Sequence, residues 1–155
     1  MNMKTCGIIT EYNPFHQGHI YHIKKMKELT QCNCLIAIVS NHFTQRGLPS
    51  LLSMEDKTKL ALEAGCNLVI ELPPCYAAQS ADYFAKYAVE SLSQLHIDQI
   101  CFGSETNNIS TLKEYSKQME STQVVPSLSM NQNLYTKNIR PNDILGIQYI
   151  KQCEK

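Results

Sequence analysis

Two histidines lie three positions apart in a polar segment that follows the first apolar run of the chain. The segment reads Glu11-Tyr-Asn-Pro-Phe-His-Gln-Gly-His19, so that His16, Gly18 and His19 form the pattern H-x-G-H. The free amides at the start of a following helix attract anions, and Gly18 would let a phosphate approach the backbone. Two imidazole donors there can stabilise charge that develops on an α-phosphate during attack. The spacing therefore favours a phosphate-handling site with His16 and His19 as catalytic residues.

Two other interpretations of the histidine pair remain open. The pair could bind zinc, although a zinc site normally has a third ligand and histidines on one helical face. The pair could also be a capped turn at the start of a helix. The cysteines do not favour a metal site, because Cys32-Asn-Cys34 is a C-x-C without a matching second pair. We therefore expect no metal, and an odd number of cysteines without an export signal predicts free thiols in the cytoplasm.

Apolar runs alternate with helical patterns along the chain, and these elements must position the histidines. Strands are predicted at residues 5–10, 34–39, 67–72 and 99–103, and helices at 19–30, 53–64, 80–95, 109–120 and 143–153. Residues 122–139 have an irregular, polar pattern. Strands separated by helices indicate an α/β fold with an open parallel sheet and flanking helices. Ligands of such sheets bind outside the carboxyl ends of the strands, so we expect the chemistry just after residues 10, 39, 72 and 103.

The composition excludes several classes of protein. The 155 residues are 43% hydrophobic, which is normal for one globular domain and excludes a disordered chain. The longest apolar runs, of about six residues, are too short to cross a membrane. Fourteen basic residues balance fourteen acidic ones, so any basic surface for a nucleic acid must be local. Neither G-x-G-x-x-G nor G-x-x-x-x-G-K-[ST] occurs, which disfavours a dinucleotide-binding dehydrogenase and a P-loop ATPase.

Six strings of the sequence carry a more specific signal. They are Gly7-Ile-Ile-Thr-Glu-Tyr-Asn-Pro-Phe-His-Gln-Gly-His-Ile-Tyr-His22, Ser40-Asn-His-Phe-Thr-Gln-Arg-Gly47, Leu68-Val-Ile-Glu-Leu-Pro73, Gln79-Ser-Ala-Asp82, Phe102-Gly-Ser-Glu105 and Arg140-Pro-Asn-Asp-Ile-Leu-Gly146. In this order they resemble the N-terminal part of the bacterial tRNA(Met) cytidine acetate ligase family, which belongs to the nucleotidyltransferase superfamily marked by H-x-G-H. The resemblance implies a Rossmann-like, HUP-type parallel sheet.

The resemblance also implies a two-step reaction. Acetate attacks the α-phosphate of ATP and gives acetyl-adenylate and pyrophosphate. The acetyl group then passes to N4 of the wobble cytidine of elongator tRNA(Met). ATP, which we expect with Mg²⁺, would be the cofactor, and acetate and tRNA(Met) would be the partners, with no membrane involved.

Residue by residue, the resemblance places ATP on one segment and two further positions. The segment comprises Ile8, Ile9, Thr10, Glu11, Tyr12, Asn13, Pro14, Phe15, His16, Gln17, Gly18, His19, Ile20 and Tyr21. Gly103 and Asn142 would also contact the nucleotide. Arg46 is a candidate for substrate or RNA contact, because a guanidinium suits a phosphate or carboxylate. Ser104 and Glu105 are candidates because they follow the fourth strand, where a ribose or adenine would lie.

We expect residues 1–155 to form one ATP-binding domain of the nucleotidyltransferase type, without the C-terminal part with which longer family members bind tRNA. The activity of this chain alone is open, because no basic second motif follows Asn142. Two other functions also remain open: adenylylation of a small phosphorylated acceptor, and nucleotide binding without catalysis. Self-association is a further expectation, because the predicted helix at 143–153 is apolar on more than one face.

Overall fold

The computed structural model describes residues 3–121 and 139–155 of the chain. The chain divides into two compact units, Met1–Phe102 and Gly103–Lys155. The expectation that residues 1–155 form one functional domain stays a prediction. Residues 122–138, which make up nearly all of the segment expected to be irregular, lie outside the described residues.

A four-stranded parallel sheet forms the centre of the first unit. Its strands are β1 (Thr5–Thr10), β2 (Cys34–Ser40), β3 (Leu68–Leu72) and β4 (Gln99–Cys101), in the order β3-β2-β1-β4. All three pairings are parallel. The chain first adds strands on one side of β1 and then returns to its other side, so β1 stands at the switch point where such sheets bind ligands. The predicted open parallel sheet is confirmed.

Burial explains why the two central strands, β1 and β2, could be predicted from the sequence. Along β2, every residue from Leu35 to Ser40 is buried, as expected for a strand covered on both faces. Cys6 and Ile8 of β1 are also fully buried. The last strand, β4, is shorter than predicted, because it ends at Cys101 and not at Gly103.

Four helices flank the sheet in this unit. They are α1 (Gln17–Thr30), α2 (Met54–Ala64), α3 (Pro74–Ala77) and α4 (Ala81–Ser93). Helix α2 follows its sequence signals: the hydroxyl of Ser53 accepts from the Asp56 amide over 3.0 Å, and Gly65 ends the helix at a φ of 117°. Helix α1 begins two residues before its predicted start, and α3 is a short helix that the sequence analysis missed.

The second unit contains helices α5 (Ile109–Ser121) and α6 (Pro141–Cys153), which pack against each other. Helix α6 begins two residues earlier than predicted, because Pro141 takes the first helical position, where a missing N–H costs nothing. The apolar side chains Ile144, Ile147, Tyr149 and Ile150 are buried. Because the chain itself buries them, this helix no longer argues for self-association.

All seven cysteines are free thiols. Within residues 3–121 and 139–155, none of the helices combines the length and the apolar character needed to cross a membrane.

Candidate functional site

The H-x-G-H turn lies between the carboxyl end of β1 and the start of α1, at the switch point of the sheet. Tyr12 anchors this turn, because its side chain is only 1% exposed while its backbone adopts a left-handed φ of 50°. The Tyr12 ring makes edge contacts with the rings of Phe15 and His19, with centroids 4.8 and 4.9 Å apart. Aromatic packing on the buried Tyr12 ring therefore stabilises the turn and fixes the orientation of His19.

The two histidines cap helix α1 reciprocally. Nδ1 of His16 accepts from the Gly18 amide over 3.1 Å, and Nδ1 of His19 accepts from the His16 amide over 3.2 Å. This is a capping box in which imidazoles take the parts that a hydroxyl and a carboxylate normally play. The structure thus contains the capped turn that the sequence analysis had left open as an alternative.

The cap determines which hydrogen-bonding group each ring offers to a ligand. Because Nδ1 accepts a hydrogen bond in both rings, the N–H that each ring can offer to a ligand is at Nε2. The ring centroids of His16 and His19 are 3.9 Å apart. Burial, with additional effects of His16 and His22, lowers the pKa of His19 to about 4. His19 is therefore neutral at pH 7, and each ring of the pair keeps one N–H donor.

Gly18 contributes to this arrangement through its missing side chain. A β-carbon at this position would lie 2.9 Å from Cε1 and 3.0 Å from Nδ1 of His16, which is too close for unshifted atoms. The glycine therefore makes room for the His16 ring over the first turn of α1. Where the sequence predicts room for a phosphate beside Gly18, the structure has the imidazole of His16.

Hydrogen bonds join the segments that follow β1, β2 and β3. The carboxylate of Glu11 accepts from the amide of Gln45, and the Gln45 side chain donates to the carbonyl of Gln79 over 2.6 Å. Arg46 is the next residue of the same loop, and its side chain is exposed. The structure therefore brings the loop of Arg46 to the edge of the sheet that carries the H-x-G-H turn.

Lys57 is a residue of this edge that the sequence analysis missed. It is fully buried in α2, and its Nζ donates to the carbonyls of Ser40 (2.8 Å) and Asn41 (3.2 Å). Burial lowers the pKa of Lys57, and the nearby charge of Glu11 opposes this effect. The ammonium thereby fixes the backbone where β2 leaves the sheet. The signal was available, since Lys57 lies one helical turn before the buried Ala61 and so on the inner face of α2.

In the second unit, three sequence candidates meet at the start of α6. Glu105 accepts from the Asn142 side chain and from the Asp143 amide, both over 3.0 Å. The buried carboxylate of Asp143 accepts from the hydroxyls of Ser104 (2.7 Å) and Thr106 (2.6 Å). Burial would raise the pKa of Asp143, but these hydrogen bonds prevail and lower it.

This network gives Ser104, Glu105 and Asn142 a structural role in positioning α6. Their contacts with a ligand stay predictions, as does that of Gly103. A β-carbon on Gly103 would meet no atom of residues 3–121 and 139–155 within 4 Å. Thr106 and Asp143 also belong to the network, but the sequence analysis did not single them out. A carboxylate in the first turn of a helix, such as that of Asp143, is common and indicates no more than a favourable helix start.

Metal ligation was the other alternative for the histidine pair. Across the part of the chain that the structure describes, no group of three or more histidine, cysteine, aspartate or glutamate side chains could hold a metal ion. Both Nδ1 atoms of the pair are already used by the cap of α1.

A parallel sheet whose switch point carries an H-x-G-H turn at a helix N-terminus is the architecture of a nucleotidyltransferase domain. The chain belongs to the HIGH nucleotidyl transferase family, whose sequence model matches residues 3–155.

More specific relatives share one description. The chain is 41% identical over 169 residues to the tRNA(Met) cytidine acetate ligase of Geobacillus sp. (strain WCH70), covering 96% of this chain and 42% of the relative. It is 38% identical over 170 residues to the enzyme of the same name from Bacillus subtilis (strain 168), covering 96% and 41%. The chain thus spans less than half the length of these curated relatives.

A solved structure agrees with these sequence relatives. The crystal structure of Thermotoga maritima TmcAL bound with alpha-thio ATP superposes with a TM-score of 0.85 at 30% identity, covering 98% of this chain and 44% of that one. The likeness confirms the predicted nucleotidyltransferase-like fold.

Proposed function

We propose that the chain is the ATP-binding, adenylate-forming part of a tRNA(Met) cytidine acetate ligase. In the first step, a carboxylate oxygen of acetate attacks the α-phosphorus of ATP, and pyrophosphate leaves with the electrons of the broken P–O bond. In the second step, N4 of the wobble cytidine attacks the acetyl carbon, AMP leaves, and the nitrogen loses a proton. The names of the relatives and the ATP analogue bound to the Thermotoga protein support this assignment.

The observation that carries the proposal is the pair of imidazoles at the N-terminus of α1, which cap the helix through Nδ1 and leave Nε2 for a ligand. Negative charge builds up on the phosphate oxygens as the bond to the acetate oxygen forms. The Nε2–H groups of His16 and His19, which lie at the positive end of the α1 dipole, would donate to those oxygens. Because the rings are already held by the helix cap, they need no reorganisation when the charge develops.

The remaining contacts extend this proposal. The segment from Ile8 to Tyr21 would surround the ATP phosphates, and Gly103 and Asn142 would contact the nucleotide. Arg46, Ser104 and Glu105 would contact substrate or RNA. Mg²⁺ would arrive bound mainly to the phosphates of ATP and to water, as is common for this ion. Since tRNA is its proposed substrate, the enzyme would act in the cytoplasm.

Isotope exchange between pyrophosphate and ATP tests the first step. We expect the protein expressed from its own gene to exchange label only when acetate is present, and to form N4-acetylcytidine when tRNA(Met) is added. The matched control is the double variant His16→Asn/His19→Asn, which keeps an acceptor near each Nδ1 position but removes both Nε2 donors. Exchange driven by a small phosphate ester instead of acetate, or ATP binding without any exchange, would overturn the proposal.

A further inference from the structure

Three tyrosine rings form a row on the surface of α3 and α4. The rings of Tyr76 and Tyr87 stack with centroids 4.2 Å apart and an angle of 30° between their planes. Tyr83 and Tyr87 are nearly parallel, with centroids 6.4 Å apart and an angle of 24°. Tyr76 is 40% exposed and Tyr83 is 50% exposed, while Tyr87 is half-buried between them. We call these three residues the tyrosine row.

The core of the domain does not require this row. Helix α4 buries its inner face through Phe84, Ala85, Ala88 and Leu92. Tyr83 and Tyr87 lie one turn apart on another face of the same helix. Tyr87 stacks on Tyr76 inside the row, so the surface that the row offers to a molecule outside the chain comes mainly from the exposed Tyr76 and Tyr83.

The charges around the tyrosine row are mixed. The ammonium of Lys86 lies 5.7 Å from the Tyr87 ring centroid, within the range of a cation–π contact. Glu90 lies 4.0 Å from the same ammonium, and Asp82 accepts from the hydroxyl of Ser80. The two carboxylates outnumber the one ammonium, so the row would bind a partner through its rings and not through charge.

The position of the tyrosine row relates it to the H-x-G-H turn. Helix α3 begins immediately after β3, so Tyr76 stands at the carboxyl edge of the sheet. The carbonyl of Gln79, between α3 and α4, accepts from the Gln45 side chain, and the Gln45 amide donates to Glu11 in the segment before His16. Two hydrogen bonds therefore connect the histidine turn with the segment that joins the two helices of the row.

We propose that the tyrosine row stacks unpaired bases of the RNA substrate next to the site of acetyl transfer. The inference rests on the proposed function, in which the reacting cytidine belongs to a single-stranded loop. Proteins that recognise such loops place splayed bases on exposed aromatic rings, and one stacked base commonly changes affinity by about tenfold. Because every base has a flat face, a row of tyrosines can hold the loop without a strongly basic surface.

A tryptophan reporter tests the proposal directly, because the chain contains no tryptophan of its own. Tyr83→Trp puts one fluorophore into the row while keeping a stacking surface. The matched control is Leu29→Trp, at an exposed position near the end of α1, at the opposite edge of the sheet. We expect a stem-loop RNA with the anticodon loop of tRNA(Met) to quench Tyr83→Trp saturably and to leave Leu29→Trp unchanged. A fully paired RNA duplex should quench neither.

Steady-state kinetics provide the second test. In the double variant Tyr76→Ala/Tyr83→Ala, we expect the KM for tRNA in acetylcytidine formation to rise about tenfold or more. Acetate-dependent pyrophosphate exchange should stay within twofold of the unaltered protein, which shows that the variant folds. The double variant Tyr76→Phe/Tyr83→Phe keeps the rings and should retain the original KM.

The two tests separate the tyrosine row from the proposed function. Normal exchange with an unchanged KM for tRNA, or no selective quenching of Tyr83→Trp by the stem-loop, would overturn the stacking role. Absence of exchange in the unaltered protein would refute the proposed ligase activity, whereas the quenching experiment would still report on the row. Binding of a protein partner that is lost in the alanine variant, without any RNA effect, would assign the row to a protein interface instead.

Discussion

The imidazole of His16 occupies the space that a side chain on residue 18 would need. A β-carbon on Gly18 would be 2.9 Å from Cε1 of His16, whose Nδ1 accepts from the Gly18 amide. The glycine of the H-x-G-H motif thus serves the first histidine of the same motif. It allows the ring to fold over the start of α1 and to direct its other nitrogen outward from the cap.

Gly18→Ala should therefore act through His16. We expect the added methyl group to displace the ring and break the cap, which would lower the free energy of unfolding by about 0.5–2 kcal/mol. Acetate-dependent exchange should fall at least tenfold, because the donor of His16 moves with its ring. Urea unfolding and exchange kinetics measure the two effects.

A double-mutant cycle provides the control for this substitution. In a His16→Ala background, Gly18→Ala has no ring to displace, so its effects should largely disappear. Additive effects of the two substitutions would show that the glycine acts independently of His16.

His19 caps the helix through Nδ1 and offers a donor at Nε2. Two substitutions can therefore separate the role in the cap from the role as a donor. His19→Asn keeps an acceptor close to the Nδ1 position but has no donor at the Nε2 position, whereas His19→Ala lacks both. We expect both variants to lose about 10²–10³-fold in the rate of exchange and much less in ATP affinity. Thermal unfolding should show that only the alanine variant loses the cap. An exchange rate for His19→Asn within a few-fold of the original would contradict the proposed role.

The lowered pKa of His19 predicts a pH dependence of stability. Burial, with smaller effects of His16 and His22, reduces this pKa from 6.5 to about 4 in the folded chain. Between these two values the unfolded chain binds more protons at this position, so the contribution of His19 opposes folding increasingly as the pH falls from about 6.5 towards 4. As the pH falls from about 6.5 towards 4, the free energy of unfolding of the original protein should therefore decrease relative to that of His19→Asn. Urea unfolding of both proteins at pH 7.5, 6 and 5 measures it, and a constant difference would contradict the assignment.

The sequence predicted the two central strands well because they are buried and carry continuous apolar runs. All four strands and the parallel arrangement followed from apolar runs such as that of β2, which is buried along nearly its whole length. Helix α3 was missed because Pro73 and Pro74 read as the end of a strand, although a proline at the first helical position can also begin a helix.

The candidate site was less predictable, because its geometry depends on which nitrogen, carbonyl or carboxylate each group contacts. The spacing of His16 and His19 identified the turn but allowed a cap, a metal pair or a phosphate site. Only the folded structure shows that the rings cap α1 through Nδ1. The spacing from Ala61 could place Lys57 on the inner face of α2, but it could not identify the carbonyls that Lys57 contacts, since backbone partners leave no trace in residue types.

Gly103 offers the cleanest test of the nucleotide contacts expected outside the histidine turn. Its φ lies outside the left-handed region, and a β-carbon there would meet no atom of the described residues within 4 Å. Gly103→Ala should therefore leave the free energy of unfolding within about 0.5 kcal/mol of the original. If the nucleotide packs against the backbone at this point, the methyl group should weaken ATP binding about tenfold. The methyl group would push the nucleotide away from the backbone, and even a small displacement weakens van der Waals contacts and hydrogen bonds.

Substitution of Asn142 would be harder to interpret, because its side chain also donates to Glu105 at the start of α6. Its loss would disturb the helix as well as any nucleotide contact. Titration calorimetry with ATP on Gly103→Ala, beside urea unfolding of the same variant, therefore addresses the contact alone. Unchanged affinity in a variant of unchanged stability would show that the nucleotide does not approach residue 103, and that the resemblance from which this contact was inferred does not extend to this position.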